Sequence, residues 1–388
     1  MYQVEFVPCS SYQASELDNA VARLLGKYDF SGKKVLIKPN WLSYRRPEDL
    51  SSVHPQLLIA VTEYIHRHQA SYIAIRESPG TQNIHDLVRQ MRLEEQLSPY
   101  HAEISPFQHF NIVPGTPESK FRRLELAVDY QDFDLMLNLA KVKTHMMMTT
   151  TLAVKNLFGL VNSSERLAWH LNIGKNYDDF ADMLLDIYLA VRPAINLIDG
   201  VQCMEGNGPA HGTPKAGNFL AVCNDALALD AALCKEVLQL QGNACPILKR
   251  AAERHLIPAY VCGENMPAPI QLELPPLGGI QTLLNSAVPR KIQQFLQQSM
   301  VNYPAVDASR CRHCGLCVKV CPPHSLEMKK QLPKFHLSSC IRCYCCQEHC
   351  PVGAITVKTP RLRRFAPFII QVVAKITYLV RLFKRNPR

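Results

Sequence analysis

Eight cysteines near the C-terminal end constrain this chain more tightly than any other feature. Cys311, Cys314, Cys317 and Cys321 form a C-x2-C-x2-C-x3-C run followed by Pro322, and Cys340, Cys343, Cys346 and Cys350 repeat it ahead of Pro351. Each cysteine of the second run lies 29 residues after its counterpart in the first. In this bacterial ferredoxin spacing, three close thiolates take three corners of one cube and the fourth is carried to the other cube. The spacing therefore predicts two [4Fe-4S] clusters, one on Cys311, Cys314, Cys317 and Cys350, the other on Cys340, Cys343, Cys346 and Cys321. A structural zinc site takes four ligands, usually as two spaced pairs, and a disulfide framework belongs to short secreted chains. Neither explains a duplicated three-plus-one run. Cys345 breaks no spacing and reads as a packed side chain.

At 388 residues and 47% hydrophobic composition, the chain can hold one large core and a small module beside it. Cys9, Cys203, Cys223, Cys234, Cys245 and Cys262 are scattered, mostly in apolar surroundings, and read as small buried hydrophobes. Together with the clustered thiols they imply a reducing compartment. The start, Met1-Tyr2-Gln3-Val4-Glu5-Phe6, has neither a basic region nor the apolar core of a signal peptide. These features predict a cytoplasmic location. Of the net charge of +10, eight units come from basic residues between Arg361 and Arg388, leaving +2 elsewhere. The basic character belongs to the tail, and no recognised nucleic-acid module accompanies it, which argues against a nucleic-acid partner.

The first two-thirds alternates strands and helices. Lys34–Ile37 reads as a strand, His54–Ala70 as an amphipathic helix and Ser71–Ile75 as a strand, one βαβ unit. Leu135–Leu139 reads as a buried strand and about Thr149–Leu160 as a helix. Asp179–Val191 reads as a helix, Ala194–Ile198 and Phe219–Val222 as strands, and Ala226 to about Leu240 as a helix. The expectation is an α/β fold, a mostly parallel sheet with helices on both faces. The prolines at 267, 269, 275 and 276 break the pattern. Accordingly, residues 1–265 are expected to form the α/β domain, 266–303 a linker and helix, 304–358 a small α+β dicluster domain and 359–388 a basic amphipathic tail.

Three polar loops follow three predicted strands, where ligands bind in open α/β sheets. The first is Lys38-Pro39-Asn40-Trp41. The second is Lys141-Val142-Lys143-Thr144-His145, with Thr149-Thr150-Thr151 and Lys155-Asn156 behind it. The third is Asp199-Gly200 with Glu205-Gly206-Asn207-Gly208-Pro209. Lys143, His145 and Lys155 could converge on a carboxylate or phosphate, helped by a helix N-terminus. Lysines at a strand end are also commonly just solvated, and a plain glycine-rich turn explains the third loop equally well. The glycine spacing is not a dinucleotide fingerprint, and the chain has no Walker A motif.

Lys38-Pro39-Asn40, Lys143-Thr144-His145, Lys155-Asn156-Leu157-Phe158-Gly159, Asp199-Gly200 with Glu205-Gly206-x-Gly208-Pro209, and Asn224 to Asp230 resemble the family called domain of unknown function 362. The resemblance runs from about Ile37 to Asp230, with a ferredoxin module behind it as in many members. It implies an iron–sulfur-binding protein and supplies no substrate.

Residues 361–388 form a further pattern. Phe368, Val372, Val373, Ile376, Leu379, Val380, Leu382 and Phe383 share one side of a helical wheel, opposite Lys375, Arg381, Lys384 and Arg385. Such a helix can lie on an anionic membrane surface, here the inner face of the membrane, or dock on the protein's own core. Two function classes follow. In the first, the protein is a reductase that passes electrons from two [4Fe-4S] clusters to a small anion. Lys143, His145 and Glu205 are then the catalytic candidates, with His145 donating the proton because its ordinary pKa suits transfer near neutrality. Lys38, Asn40, Lys155, Asn156, Gly206 and Gly208 are the binding candidates. In the second, the protein is a non-catalytic electron carrier or docking protein for a redox partner that donates or accepts electrons.

Overall fold

The computed structural model describes residues 1–44, 50–79, 83–173, 176–240, 243–275, 302–358 and 360. The chain divides into two compact units, Met1–Pro275 and Pro276–Arg388. The division falls inside the proline-rich stretch where the pattern breaks. The expected helix leading into the second unit and the basic tail lie outside the described residues.

In chain order the first unit contains β1 (Tyr2–Pro8), α1 (Ala14–Leu25), β2 (Lys34–Pro39), α2 (Pro55–Arg67), β3 (Tyr72–Arg76), α3 (Ile84–Gln90), α4 (Leu93–Leu97) and β4 (Glu103–Ser105). Then come β5 (Phe110–Pro114), β6 (Arg123–Ala127), β7 (Leu135–His145), β8 (Thr149–Thr151), α5 (Ala153–Asn156), α6 (Ser163–Ile173) and α7 (Tyr177–Val191). The unit closes with β9 (Ile195–Glu205), β10 (Thr213–Cys223), α8 (Ala226–Ala232), α9 (Pro246–Glu253) and β11 (Tyr260–Cys262). Nine strands form one sheet in the order β11-β1-β10-β9-β7-β2-β3-β4, with β8 paired to β7. The centre, β9-β7-β2-β3-β4, is parallel, whereas β10 runs antiparallel to both β1 and β9. The expected α/β class, with a mostly parallel sheet, is the observed one.

Periodicity explains how the faces are covered. Leu17, Ala20, Val21, Leu24 and Leu25 are the buried positions of α1, a spacing that sets one stripe against the sheet. They join Val35 and Ile37 of β2, Leu137 and Leu139 of β7 and Leu57, Val61 and Ile65 of α2 in one core. Each such aliphatic side chain contributes about 1.5–3 kcal/mol on burial. Helix α2 starts cleanly because Pro55 occupies its first turn and the His54 ring accepts the Gln56 N–H. On the opposite face, α5 packs on β7 and α8 on β10.

One expectation is corrected. No helix begins at Thr149. Residues Thr149–Thr151 form β8, which pairs antiparallel with Lys143–His145. Three consecutive β-branched residues suit a pleated strand better than a helical turn. Helix α5 begins only at Ala153 and passes into a 3₁₀ turn over Leu157–Leu160. Strand β7 accordingly runs six residues past Leu139, because Lys141, Lys143 and His145 are all buried within the fold.

The second unit shows its duplication in the backbone. β12 (Tyr303–Val306) pairs antiparallel with β15 (Ile355–Lys358), and β13 (Leu326–Lys329) pairs with β14 (Leu332–Phe335). Short helices, Leu316–Lys319 and Cys345–Glu348, follow the third-to-last ligand of each run. Left-handed residues recur at equivalent places: His313 and Arg342, Gly315 and Tyr344, His324 and Gly353. The core here is little more than Leu326, Ala354 and Ile355 among cysteines, too little to hold a fold without metal.

Candidate functional site

The cysteines of the second unit gather as the spacing requires. Cys311, Cys314, Cys317 and Cys350 line one cavity together with Arg312, His313 and Met328. Burial, then the neighbouring Cys350, Cys314 and Cys311, push the Cys317 thiol up to about 11. Cys346 is pushed well up by burial and by Cys343, Cys340 and Cys321. So Cys350 meets the first run and Cys321 the second. Four thiols crowded round one space repel as thiolates, a cost that metal relieves. Among the described residues, no three His, Cys, Asp or Glu side chains are arranged to hold a single metal ion. A cubane instead offers a separate iron to each sulfur, and that is the group these thiols fit. Ser325 N–H donates to Cys321 Sγ (3.2 Å) and Ala354 N–H to Cys350 Sγ (3.1 Å), another pair related by the repeat. Cys345 is buried and hydrogen-bonds to Cys343.

In the first unit the sheet register builds the site. Lys38, Asn138 and Asn196 are direct neighbours across β2, β7 and β9, so their side chains share one face. Asn138 Nδ2 donates to Asn196 Oδ1 (2.9 Å), and Asn156 Nδ2 from α5 donates to Asn138 Oδ1 (2.8 Å). Asn40 Nδ2 donates to Asn156 Oδ1 (2.9 Å), and Lys143 Nζ donates to Asn40 Oδ1 (2.7 Å) and to the Ser51 carbonyl (2.6 Å). An ammonium thus heads a chain of four amides, each donating to the next. Asn196 ends the chain on the carbonyls of Pro193 and Cys223. Helix α5 is fixed from the other side by Asp230, which accepts the N–H groups of Ala153 (2.8 Å) and Val154 (3.0 Å).

This chain is expected to be costly to interrupt. Asn138→Leu keeps the branched shape but leaves the Asn196 acceptor without its donor, at about 1–3 kcal/mol, and leaves Asn156 only its longer bonds to the Lys38 and Leu139 carbonyls. Calorimetry should show the α/β transition moving down, with the iron content of the other unit unchanged.

Two ion pairs flank the amides. Lys38, fully buried, meets Glu77 at 2.5 Å. Gly159 lies directly over this pair, and a Cβ there would overlap both Glu77 Oε1 and Lys38 Nζ. Arg166 closes the turn by donating to the Gly159 carbonyl (2.8 Å). On the opposite face Lys141 bonds Asp199 (2.8 Å), its register partner on β9, and Tyr12 donates to the same carboxylate (2.8 Å). Tyr12 also stacks on His54, whose pKa burial lowers to about 4.

His145 closes β7 and is buried. Its Nδ1 accepts the N–H groups of Met147 (3.1 Å) and Met148 (3.2 Å), which places the ring proton on Nε2. Burial first, then Lys155, His170 and Lys143, hold its pKa well below the ordinary value of 6.5. The premise of an ordinary histidine pKa is therefore corrected: this imidazole is neutral at neutral pH. Below pH 6.5 the unfolded ring takes a proton that the folded ring refuses, so the stability due to this residue falls with acid.

Lys38, Asn40, Lys143, Asn156 and, through its charge, Lys155 thus belong to one neighbourhood with His145. Lys155 Nζ sits over Phe158, 4.8 Å from the ring centroid. Glu205, Gly206 and Gly208 form the adjoining turn. The Gly206 carbonyl accepts from Thr144 Oγ1 (3.1 Å), and Gly208 packs where a Cβ would overlap the Thr144 carbonyl. The Glu205 carboxylate accepts the Glu273 N–H (2.9 Å). Asn138, Ser51 and Glu77 were not anticipated. Asn138 carried a signal, as an amide inside the apolar run Leu135–Leu139 needs a buried partner; a lone Ser or Glu in a loop carries none.

Two family models match separate stretches of the chain. The family described as a domain of unknown function (DUF362) matches residues 35–235, and a 4Fe-4S dicluster domain matches residues 306–354. The thylakoid-associated protein sll1697 of Synechocystis sp. is 30% identical over 259 residues, covering 65% of this chain and 79% of that protein. The lactate racemase apoprotein of Thermoanaerobacterium thermosaccharolyticum overlays 51% of this chain and 50% of its own, at 16% identity and a TM-score of 0.36. The second unit carries a 4Fe-4S ferredoxin-type domain, and the chain belongs to the domain of unknown function 362 family.

Proposed function

We propose that the protein is an iron–sulfur reductase whose α/β unit binds a small anion beside His145. Cys311, Cys314, Cys317 and Cys350 would hold one [4Fe-4S] cluster, and Cys340, Cys343, Cys346 and Cys321 a second. Such clusters supply single electrons; the protein supplies orientation and charge. The observation that carries the reading is the positive field at His145, where Lys155, His170 and Lys143 all oppose its protonation. A bound anion counters that field and raises the pKa of the ring. The neutral imidazole already carries its proton on Nε2, because Nδ1 accepts two backbone N–H groups, and it would donate that proton to the substrate. Lys143, fixed by Asn40 and Ser51, would orient the anion, with Lys155 adding charge. Glu205, Gly206 and Gly208 would border it.

Anaerobic native mass spectrometry of the purified protein tests this. Two clusters with a retained small anion support the reductase. Single-turnover reduction of that anion by the chemically reduced protein should then slow by about 100-fold or more in His145→Asn, the usual cost of losing a general acid, with anion affinity changed only a few-fold. Two clusters without any ligand favour the carrier reading, which the exposure of Cys314 also supports, since exchange with a partner protein needs a cluster near the surface. For location, we infer a cytoplasmic protein peripheral to the inner face of a membrane through residues 361–388. The basic amphipathic pattern and the name of the thylakoid-associated relative support this. Among the described residues no helix is long and apolar enough to cross a membrane.

A further inference from the structure

The repeat in the second unit lets its two sets of thiols be compared position by position. In the first run Cys314 is exposed and Cys311 and Cys317 are half-buried, whereas their counterparts Cys343, Cys340 and Cys346 are all buried. The coverings differ in the same sense. Tyr344, inside the second run, is buried, and its hydroxyl donates to the Asn302 carbonyl (3.0 Å). Its counterpart is Gly315, where a Cβ would meet open space. Charge follows the same asymmetry. Arg312 and His313 line the first cavity and are exposed. At their places the second run has Ile341 and a buried Arg342 that donates to the Leu337 and Cys340 carbonyls. Arg310, also exposed, is fixed by its bond to the Val352 carbonyl (3.0 Å). His313 Nδ1 donates to the Gln331 carbonyl (2.6 Å), which ties the tip of the β13–β14 hairpin to the first run. That tip carries the exposed Lys329 and Lys330, and Met328, 39% exposed, lines the cavity beside it. Residues 302–358 contain only three acids. Glu327 alternates away from Met328 and bonds Lys334 and His336, and Glu348 stands in the second run. Asp307 alone is near Arg310, and its carboxylate accepts the Ser309 N–H and hydroxyl.

We propose that the face formed by Arg310, Arg312, Lys329 and Lys330 around Cys314 and Met328 docks an acidic one-electron carrier protein, and that this carrier exchanges electrons with the cluster of the first run. Electron transfer weakens steeply with distance, so exchange goes through the thiols that a partner can approach. One electron passes between the carrier and the cluster, with no bond made or broken. Met328 supplies an apolar contact at the centre and the cations a polar rim, as interfaces are commonly built. Like charges gathered on one exposed face repel, and an acidic surface relieves that repulsion while raising encounter rates by about 10–10³-fold. An anionic membrane would meet the same cations, but the open thiol at their centre has a use only for a redox partner. The proposal rests on the reading of both runs as cluster-bearing and is independent of the candidate anion site.

The test uses the full chain, loaded anaerobically, and two charge probes that each accept one electron: an acidic blue-copper protein and a basic c-type cytochrome. Stopped-flow oxidation of the dithionite-reduced protein gives the rates. Cadmium-substituted copper protein, which takes no electron, gives the binding by NMR. Rate and affinity with the acidic probe should both fall by at least about tenfold as salt rises from about 20 to about 300 mM. Arg312→Glu with Lys330→Glu should lower both by about tenfold at low salt and speed the cytochrome, with iron still at about eight per chain. Lys334→Glu with Lys358→Glu makes the same change in net charge away from the cavity and should alter neither by more than about threefold. Iron well below eight in the parent protein fails the cluster reading on which the docking rests. With loaded protein, a rate insensitive to salt or an equal response to both pairs of reversals overturns the docking alone. So does an Arg312→Glu, Lys330→Glu variant that loses binding to phosphatidylserine vesicles but keeps its affinity for the copper protein.

Discussion

Cys350→Ala is expected to cost the protein the cluster of the first cysteine run while the second run keeps its own. Anaerobically reconstituted protein should fall from about eight to about four irons per chain. The reason is topological. Cys350 stands in the second run, yet it lines the cavity of Cys311, Cys314 and Cys317, while Cys321 keeps company with Cys340 and Cys343. Cys321→Ala should give the complementary loss. If Cys350→Ala removes the cluster of its own run, the crossed arrangement is wrong. Both variants should lower the melting transition of the second unit sharply, since the apolar core around Leu326, Ala354 and Ile355 is small and ligand bonding supplies much of the folding free energy in such modules.

Glu77→Gln is expected to destabilise the first unit by about 3–5 kcal/mol, the usual cost of removing one partner of a buried ion pair. Lys38 is fully buried, and burial already lowers its pKa against the support of Glu77. Without the carboxylate, Lys38 keeps an uncompensated charge or sheds its proton. Calorimetry of the α/β transition gives the loss. A second variant separates charge from shape: Lys38→Met with Glu77→Leu should recover most of the stability, because an apolar pair of similar volume carries no desolvation penalty. Should the double variant be worse than the single one, the pair does more than neutralise itself.

The ferredoxin-type unit was legible as a domain of 4Fe-4S type, because metal ligation imposes fixed spacing on the chain. The α/β class was legible too, from apolar strands separated by amphipathic helices. Local misreadings came where tertiary pairing overrode position. Thr149–Thr151 looked like the opening of a helix, but strand β7, continuing through buried lysines, captured them as a hairpin partner. The polar residues expected in loops lie instead mostly on the far ends of longer strands, Lys38 in β2, Lys143 and His145 in β7 and Asp199 in β9, where Lys38, Asn40, Lys143, His145 and Asn156 are neighbours. Their partners were less visible. Glu77 and Ser51 are ordinary loop residues until the fold brings them against Lys38 and Lys143. His145 illustrates the deeper limit: its residue type suggests a neutral-range titration, whereas burial and neighbouring cations decide its charge.

The run of amides from Asn40 to Asn196 has a consequence for inheritance. Every link both gives and receives, and all point the same way from Lys143. An aspartate at any link can only receive while ionised, and a leucine can do neither. No single link can be exchanged without stranding the next one, so these four positions, scattered over four separate stretches of chain, should pass through descent as one character rather than as four.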